Sequence, residues 1–314
     1  MGREKNWGGW LAVLLLSAAV PRHSSNAFGP GGLGQNMTEI TMRDAVARFF
    51  YEMREGSRRQ GNVLFALIFK ELKSREGNDY NFGLYSLLII LLEPAIGVAA
   101  ITTFWYLVRR EEIYGIHIAL FVAVSYTPFS IIRRSLSSIP RSLRGNQSFY
   151  SFQQVKPFDA VTARFIIELV LTLSGGILML FGLWWFLGLS MKGGHVFQFL
   201  GILAMMATAG FGLSLFLGVY GTLFPLVNRI VRMMSMGLLM VCAVIHPLAE
   251  LPSKASYILS WNPIANMEEY LRLYGLGIKP DSNVSLNYAM GFTLTILFLG
   301  FTGYYVNRRN VLER

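Results

Sequence analysis

The chain has 314 residues, 53% of them apolar and only 15% charged, against roughly 25% charged residues in an average soluble domain. That balance argues against a cytosolic enzyme. Apolar stretches near or above the roughly 18 to 20 residues needed to cross hydrocarbon indicate one membrane domain of several helices. The formal charge of +10 is scattered between the apolar runs, which fits positive loops held at a membrane face and excludes nucleic acid as a partner. A single cysteine, Cys242, permits neither an intrachain disulfide nor a cysteine-based metal site, and the histidines are too far separated to supply a metal site instead.

Residues 1–36 hold Arg3 and Lys5, an apolar run from Trp10 to Val20, and a stretch rich in Gly, Pro, Ser and Asn through Gly34. This resembles a signal peptide. Cleavage would leave the arginines and lysines of 43–75 outside the cell, against the charge rule that orients the remainder. The stretch therefore reads as an extension or a start placed too early, with Met37 or Met42 as the working start. In the region 37–83, Met42, Val46, Phe49, Phe50 and Met53 recur at helical spacing among Arg43, Arg48 and Arg54. This pattern suits a cytoplasmic amphipathic helix lying in the headgroup layer; a soluble-facing helix is the alternative.

Six hydrophobic segments follow within 84–306, at about 84–108, 116–136, 161–188, 196–225, 230–249 and 287–306, with a tail at 307–314. The expected fold is all-α and polytopic, with six transmembrane helices. Basic residues flank them unequally. Arg43 to Arg75, Arg133 to Arg164, Arg229 with Arg232, and Arg308, Arg309 and Arg314 lie on one side; Arg109, Arg110, Lys192, Lys254, Arg272 and Lys279 lie on the other. An excess of roughly three to one puts the first set, and both termini, in the cytoplasm.

Two connections are unusual. The loop from Arg133 to Ala160 is long for a connector and carries Phe149, Tyr150 and Phe152 between Pro140 and Pro157. It suits docking to a soluble partner, or aromatics folding back on the bilayer. The stretch from His246 to Ser285 is moderately apolar but broken by Pro247, Pro252, Pro263 and Pro280, and reads as external re-entrant half-helices, which need protein or water around them.

The chain has no G-x-x-x-x-G-K-[ST] phosphate loop, so it is not itself a P-loop ATPase. Leu173-Ser174-Gly175-Gly176 spells part of a nucleotide-gripping signature, but within an apolar segment its small residues are better explained by close helix packing. Ionisable residues inside spans are costly. Glu93 precedes Pro94 in the first segment, where it pairs with a basic residue of another span or lines a wet pore. Arg164 and Glu168, four residues apart, form an intrahelical pair. Phe104, Trp105 and Tyr106, and Trp184, Trp185 and Phe186, gather at external ends; they are an interfacial belt or a surface for stacking sugar rings. No paired acids or acidic metal cluster suggest catalysis, so movement of material across the membrane is the default reading.

Three motifs add a resemblance. Lys70-Glu71-Leu72-Lys73-Ser74-Arg75-Glu76-Gly77 with Gly83 and Glu93-Pro94, then Val155-Lys156-Pro157-Phe158-Asp159 with Arg164 and Glu168, then Leu251-Pro252, Trp261-Asn262-Pro263, Glu269 and Arg272, resemble in order the permease subunits of ABC exporters of the second type, particularly those for capsular polysaccharide. The resemblance covers about residues 43–314. It implies a homodimer in the bacterial inner membrane, with separate P-loop ATPase chains holding ATP and Mg and docking at Gln154, Val155, Lys156, Pro157, Phe158 and Asp159. It further implies a lipid-linked polysaccharide passing Glu93, Trp105, Tyr106, Trp184 and Trp185; a re-entrant region containing Pro252, Asn262, Pro263, Glu269 and Arg272; periplasmic or outer-membrane export partners; and no cofactor or metal in this chain. Ser86 and Asn266 stand where tryptophan and histidine are common in the family, and the gap from Gly83 to Glu93 is a little long. These departures bear on the glycan transported. Another lipid-linked glycan, such as O-antigen or teichoic acid, is the nearest alternative. A membrane-embedded transferase and a structural anchoring subunit are the others.

Overall fold

In the computed structural model, the chain is described over residues 60–68, 80–108, 111–145, 156–191 and 193–312. The extension at 1–36, the amphipathic stretch Met42 to Met53, the Lys70 to Gly77 motif, and Gln154 and Val155 lie outside these residues.

A short helix α1 (60–68) precedes α2 (Tyr80–Leu107), which contains Pro94. A two-residue hairpin then turns the chain back, pairing β1 (Glu112–Ile113) with β2 (Ile116–His117) so that Ile113 faces Ile116. Its turn needs two positive φ angles, 53° at Tyr114 and 71° at Gly115, the geometry that matches the twist of a tight hairpin. This hairpin is the one departure from an all-α chain among the described residues, and two-residue strands carry too little alternation to be legible beforehand.

The next helix, α3 (Ile118–Gly145), is the centre of the molecule. Phe121, Val122, Phe129, Ile131, Ile132 and Ile139 are all fully buried, because α2, α4 (Pro157–Leu187), α5 (Val196–Leu223) and α8 (Pro263–Leu276) all pack on it. A helix covered on every side has no face on which to leave a hydroxyl in water. Ser130 and Ser135 accordingly donate to the carbonyls of Thr127 and Ile131, both at 2.7 Å. The stretch expected as a loop from Arg133 is helical as far as Gly145, since α3 carries its first thirteen residues. A hydropathy reading stops a segment at its charges, whereas the helix ends where its backbone hydrogen bonding ends.

Helix α4 starts at Pro157, four residues before the expected span. Lys156 and Asp159 form its cap: Asp159 Oδ2 accepts from the Lys156 N–H at 3.0 Å, and Asp159 N–H donates to the Lys156 carbonyl at 2.9 Å. Proline at the first helical position loses no hydrogen bond. After α5 comes α6 (Pro225–Val241), shorter than the 230–249 segment suggested; a turn through Ala243 in the left-handed region, φ 54°, ends it. A 3-10 turn (Leu248–Glu250), α7 (Ser253–Ser260), α8 and α9 (Leu286–Leu312) complete the chain. The proline-broken stretch is thus two half-helices.

Three helices, Pro157–Leu187, Val196–Leu223 and Leu286–Arg308, are long and apolar enough to cross a membrane. Each closely approaches a neighbouring helix where glycines remove the side chains. A Cβ on Gly175 would strike the Leu91 carbonyl oxygen and Pro94 of α2, and one on Gly176 would strike Thr127 of α3. The packing reading of Ser174-Gly175-Gly176 is the one the structure supports. Between α5 and α9 the backbones themselves touch: a Cβ at Gly212 would lie 2.8 Å from the Leu297 Cα, and one at Gly300 would lie 2.6 Å from the Gly212 carbonyl oxygen. Neither contact can yield by a rotamer change. Gly212→Leu should therefore cost at least the roughly 1 to 3 kcal/mol typical of overpacking, read as a lower melting temperature of the detergent-purified protein, while Gly201→Leu, which faces open space, leaves it unchanged.

Candidate functional site

Of the six residues expected at a docking loop, four are described, and they form the first turn of α4. Lys156 caps the helix and Pro157 opens it. Asp159, although only 3% exposed, accepts a hydrogen bond from Gln60 Nε2 of α1 at 3.2 Å. Phe158 points the other way. Its N–H donates to Tyr304 Oη of α9 at 3.3 Å, and its ring packs within about 6 Å of Phe211, Phe301 and Tyr304. This single turn therefore touches α1, α5 and α9. The tie to Tyr304 was not legible in the sequence, because nothing local links positions so far apart.

Glu93, halfway along α2, pairs with another segment. Its Oε1 accepts from Arg133 Nη2 and its Oε2 from Arg134 Nη2, both at 2.9 Å. The Arg133 guanidinium also donates to Tyr126 Oη at 3.1 Å. Within α4, Arg164 and Glu168 form the expected intrahelical pair at 3.2 Å.

The half-helix region is built around a buried ion pair. Arg272 and Glu269, 0% and 1% exposed, meet at 2.8 Å. Arg272 Nε donates to Ser125 Oγ of α3 at 2.9 Å, and Nη2 donates to the Ala243 carbonyl. Its guanidinium lies over the Phe121 ring, 4.6 Å from the centroid. Glu269 Oε1 also accepts the Leu248 N–H at 3.0 Å. Asn262 caps α8 by accepting from the Ile264 N–H at 3.0 Å, and its amide donates to the Val241 carbonyl at the end of α6 at 3.0 Å. Pro263 follows at the first helical position, and Pro252 stands at the cap position before α7. Asn266 joins three elements: its amide donates to the carbonyls of Ser260 and Asn262, and its oxygen accepts the Ser285 N–H at 2.7 Å. Beside this network lies Glu268, fully buried. Neither of its oxygens has a well-formed hydrogen bond. Burial pushes its carboxyl up to about 8, further raised by Glu269 and partly offset by Arg272 and the Ser125 hydroxyl.

The aromatics divide. Trp184, Trp185 and Phe186 are exposed, as are Phe104 and Tyr106, and Phe181 stacks on Trp185 at 6.0 Å. Tyr106 hydrogen-bonds His117 of the hairpin at 2.9 Å. Trp105 instead packs against the core. Among the described residues, no three His, Cys, Asp or Glu side chains converge as a metal would require.

Residues 63–276 match the ABC-2 type transporter family, and the chain belongs to that family: it is a membrane subunit, without catalytic activity of its own, of a transporter whose ATPase is a partner. Two proteins of Escherichia coli, each named polysialic acid transport protein KpsM, are 24% and 26% identical to it over 257 and 261 residues, which is 80% of this chain and 95% of each of them.

The buried network yields two expectations. Arg272→Met strands Glu269 as an uncompensated buried charge, at roughly 3 to 5 kcal/mol, and should abolish recovery of folded protein in size-exclusion chromatography. Glu268 behaves differently. Its folded carboxyl holds a proton up to about pH 8, whereas an unfolded one releases it near about 4.3. The folded state thus binds more protons between those values, and stability falls as pH rises through that window. Glu268→Gln, an isostere of the neutral acid, should raise the melting temperature at pH 8 and leave it unchanged at about pH 4.

Proposed function

We propose that this chain is the permease of an ATP-driven exporter that moves capsular polysaccharide out of the cytoplasm across the bacterial inner membrane. The observation that carries the reading is its similarity to the two KpsM proteins over 95% of their length, together with family membership over residues 63–276. Six spans fit the element order: α2, α3 and α6 join the three apolar helices, with α7 and α8 as the re-entrant pair. Both termini face the cytoplasm in this reading, which the distribution of basic residues supports. Two copies form the transport unit, and the glycan is carried on a lipid. O-antigen and teichoic acid exporters are the related reading.

In this arrangement the partner ATPase binds ATP and Mg and docks at Gln154 to Asp159. Closure of the ATPase presses on the first turn of α4. Because Phe158 is hydrogen-bonded to Tyr304 and Asp159 to Gln60, that push reaches α9 and α1 together. Exposed Trp184 and Trp185 face the route on the external side, where aromatic planes pack against the C–H faces of sugars. Glu93 lies at the inner end of the same path, and periplasmic partners receive the glycan beyond it.

Asp159→Lys, with Asp159→Asn as a control that keeps the cap, tests the docking turn. The lysine variant should insert normally, fail to co-purify with the ATPase and abolish surface glycan; normal glycan would exclude this turn as the docking point. Trp184→Ala should reduce export about fivefold without loss of membrane abundance, the loss of one stacked ring worth about 1 kcal/mol. Trp105→Ala, being packed in the core, should instead lower abundance. Equal abundance losses would make all these rings a membrane belt.

A further inference from the structure

Helices α2 and α4 touch and then part. A Cβ on Gly175 would strike the Leu91 carbonyl oxygen and Pro94, whereas two turns further along α4, at Gly182, a Cβ would meet nothing within 4 Å. The space between the two helices is a wedge of about 610 Å³, closed at Leu91 and Gly175 and running to Tyr106 and Leu187 beside the hairpin. Ala95 and Ala99 of α2 and Gly182 of α4 line its walls, and their small size is what makes it deep. The lining is predominantly apolar, and Leu92 and Leu178 on its rim are each more than half exposed. Left empty, such a space would deprive its lining atoms of dispersion contacts on one side.

The wedge is one leaflet deep. At the helical rise, Leu91 and Tyr106 lie about 22 Å apart along α2, and Gly175 and Leu187 about 18 Å apart along α4. Half of a bilayer with its headgroups measures about 20 to 22 Å. The closed end therefore lies near the middle of the membrane and the mouth at the headgroup layer on the hairpin side. A membrane-spanning helix of a second copy cannot lie along the floor, because the contact at Gly175 blocks it half-way. The walls also offer far less than the roughly 800 Å² per partner that a stable dimer buries. A single hydrocarbon chain entering from the headgroup side matches both the length and the closed end. The mouth is polar. His117 Nδ1 accepts the Ala119 N–H at 3.2 Å, so the ring proton sits on Nε2 and is donated to Tyr106 Oη at 2.9 Å. The phenolic proton of Tyr106, an exposed side chain, is thereby left for an acceptor at the mouth.

We propose that the wedge between α2 and α4 binds one acyl chain of a phospholipid of the external leaflet, with the Tyr106 hydroxyl donating to an oxygen of that lipid's glycerophosphate. Only the assignment to the external leaflet rests on the exporter reading; the site itself does not. The chain fills the gap that the two helices leave, so it sets the angle between them and backs the hairpin half of α2. A polyprenyl chain, methyl-branched and much longer than a leaflet, does not match a wedge that closes at mid-membrane.

Photolabelling tests the site. The full-length permease with its ATPase is reconstituted in vesicles of phosphatidylglycerol and phosphatidylcholine that contain a little phosphatidylcholine with a diazirine in one acyl chain, either at its end or near its carboxyl group. After irradiation, labelled residues are identified by mass spectrometry. The end-of-chain diazirine should mark the surroundings of Ala95, and the carboxyl-side one those of Thr103 and Leu183. Gly182→Phe puts a ring into the open space without striking the protein; it should cut labelling of the wedge more than tenfold and leave the melting temperature unchanged or raised. Ala99→Phe, on the opposite wall, should do the same and serves should the first variant fail to fold. Tyr106→Phe should lower labelling by a subsaturating amount of the lipid about fivefold, the loss of one hydrogen bond. Labelling spread over every lipid-facing helix and indifferent to Gly182→Phe would mean ordinary boundary lipid. The reverse order of labels along α2 would bring the chain from the other leaflet. A polyprenyl phosphate that removes the label at equal mole fraction would make the longer chain the occupant. An unlabelled wedge, with Gly182→Phe shifting the monomer–dimer balance, would put a second copy there. Each of these four results overturns the proposal. Because labelling is read without glycan or ATP, failure of the exporter reading would appear separately, as loss of ATPase co-purification.

Discussion

A guanidinium with no exposure must find partners inside the protein, and Arg272 finds them in three places: its own helix, α3 and the turn after α6. Glu269 of its own helix neutralises it, Ser125 of α3 and the Ala243 carbonyl accept its remaining donors, and Phe121 covers its face. The left-handed backbone at Ala243 would be unfavourable in isolation, at roughly 1 kcal/mol or more. It is held because it turns a carbonyl toward the cation. The end of α6, the path of the chain to the 3-10 turn and the seating of α8 on α3 all follow from satisfying that one side chain. Irregular backbone survives at membrane depth only when enclosed in this way.

The same demand shapes the rest of the molecule. Glu168 lies against Arg164 and Glu93 against two arginines of α3, so ionisable groups between the apolar helices meet opposite charge. Glu268 is the exception, and it resolves the conflict by remaining neutral. A buried carboxylic acid beside a carboxylate gives up its proton reluctantly, because ionising it would place two anions around a single guanidinium.

What the sequence discloses and what it conceals divide along physical lines. Hydropathy points to the apolar helices, the four prolines of 246–285 point to the half-helices, and i,i+4 spacing points to the Arg164–Glu168 pair. Each of these signals is local. The errors were at helix ends: α3 runs on through Arg133 and Arg134 to Gly145, and α6 stops at Val241, because hydrogen bonding and tertiary ties decide ends that hydropathy cannot see. The partners of Glu93, the role of Ser125 and the link from Phe158 to Tyr304 were illegible for a different reason. They join residues distant in sequence, and a single sequence holds no information about which helices become neighbours. Trp105 and Trp184 looked alike in sequence, yet one packs inward and the other outward, since three adjacent aromatics on a helix spread over most of its circumference.

The glycine contact between α5 and α9 has one more implication. Where two helices meet backbone to backbone, with Gly212 against Leu297 and Gly300, they cannot slide or separate without losing the whole seam at once, so they behave as a single plank. Any deformation that opens a passage must then be taken up elsewhere, at joints filled by side chains that can change rotamer. Helix α2, which keeps a broad apolar face uncovered and is joined to α3 through the side chain of Glu93, is the hinged board beside that plank.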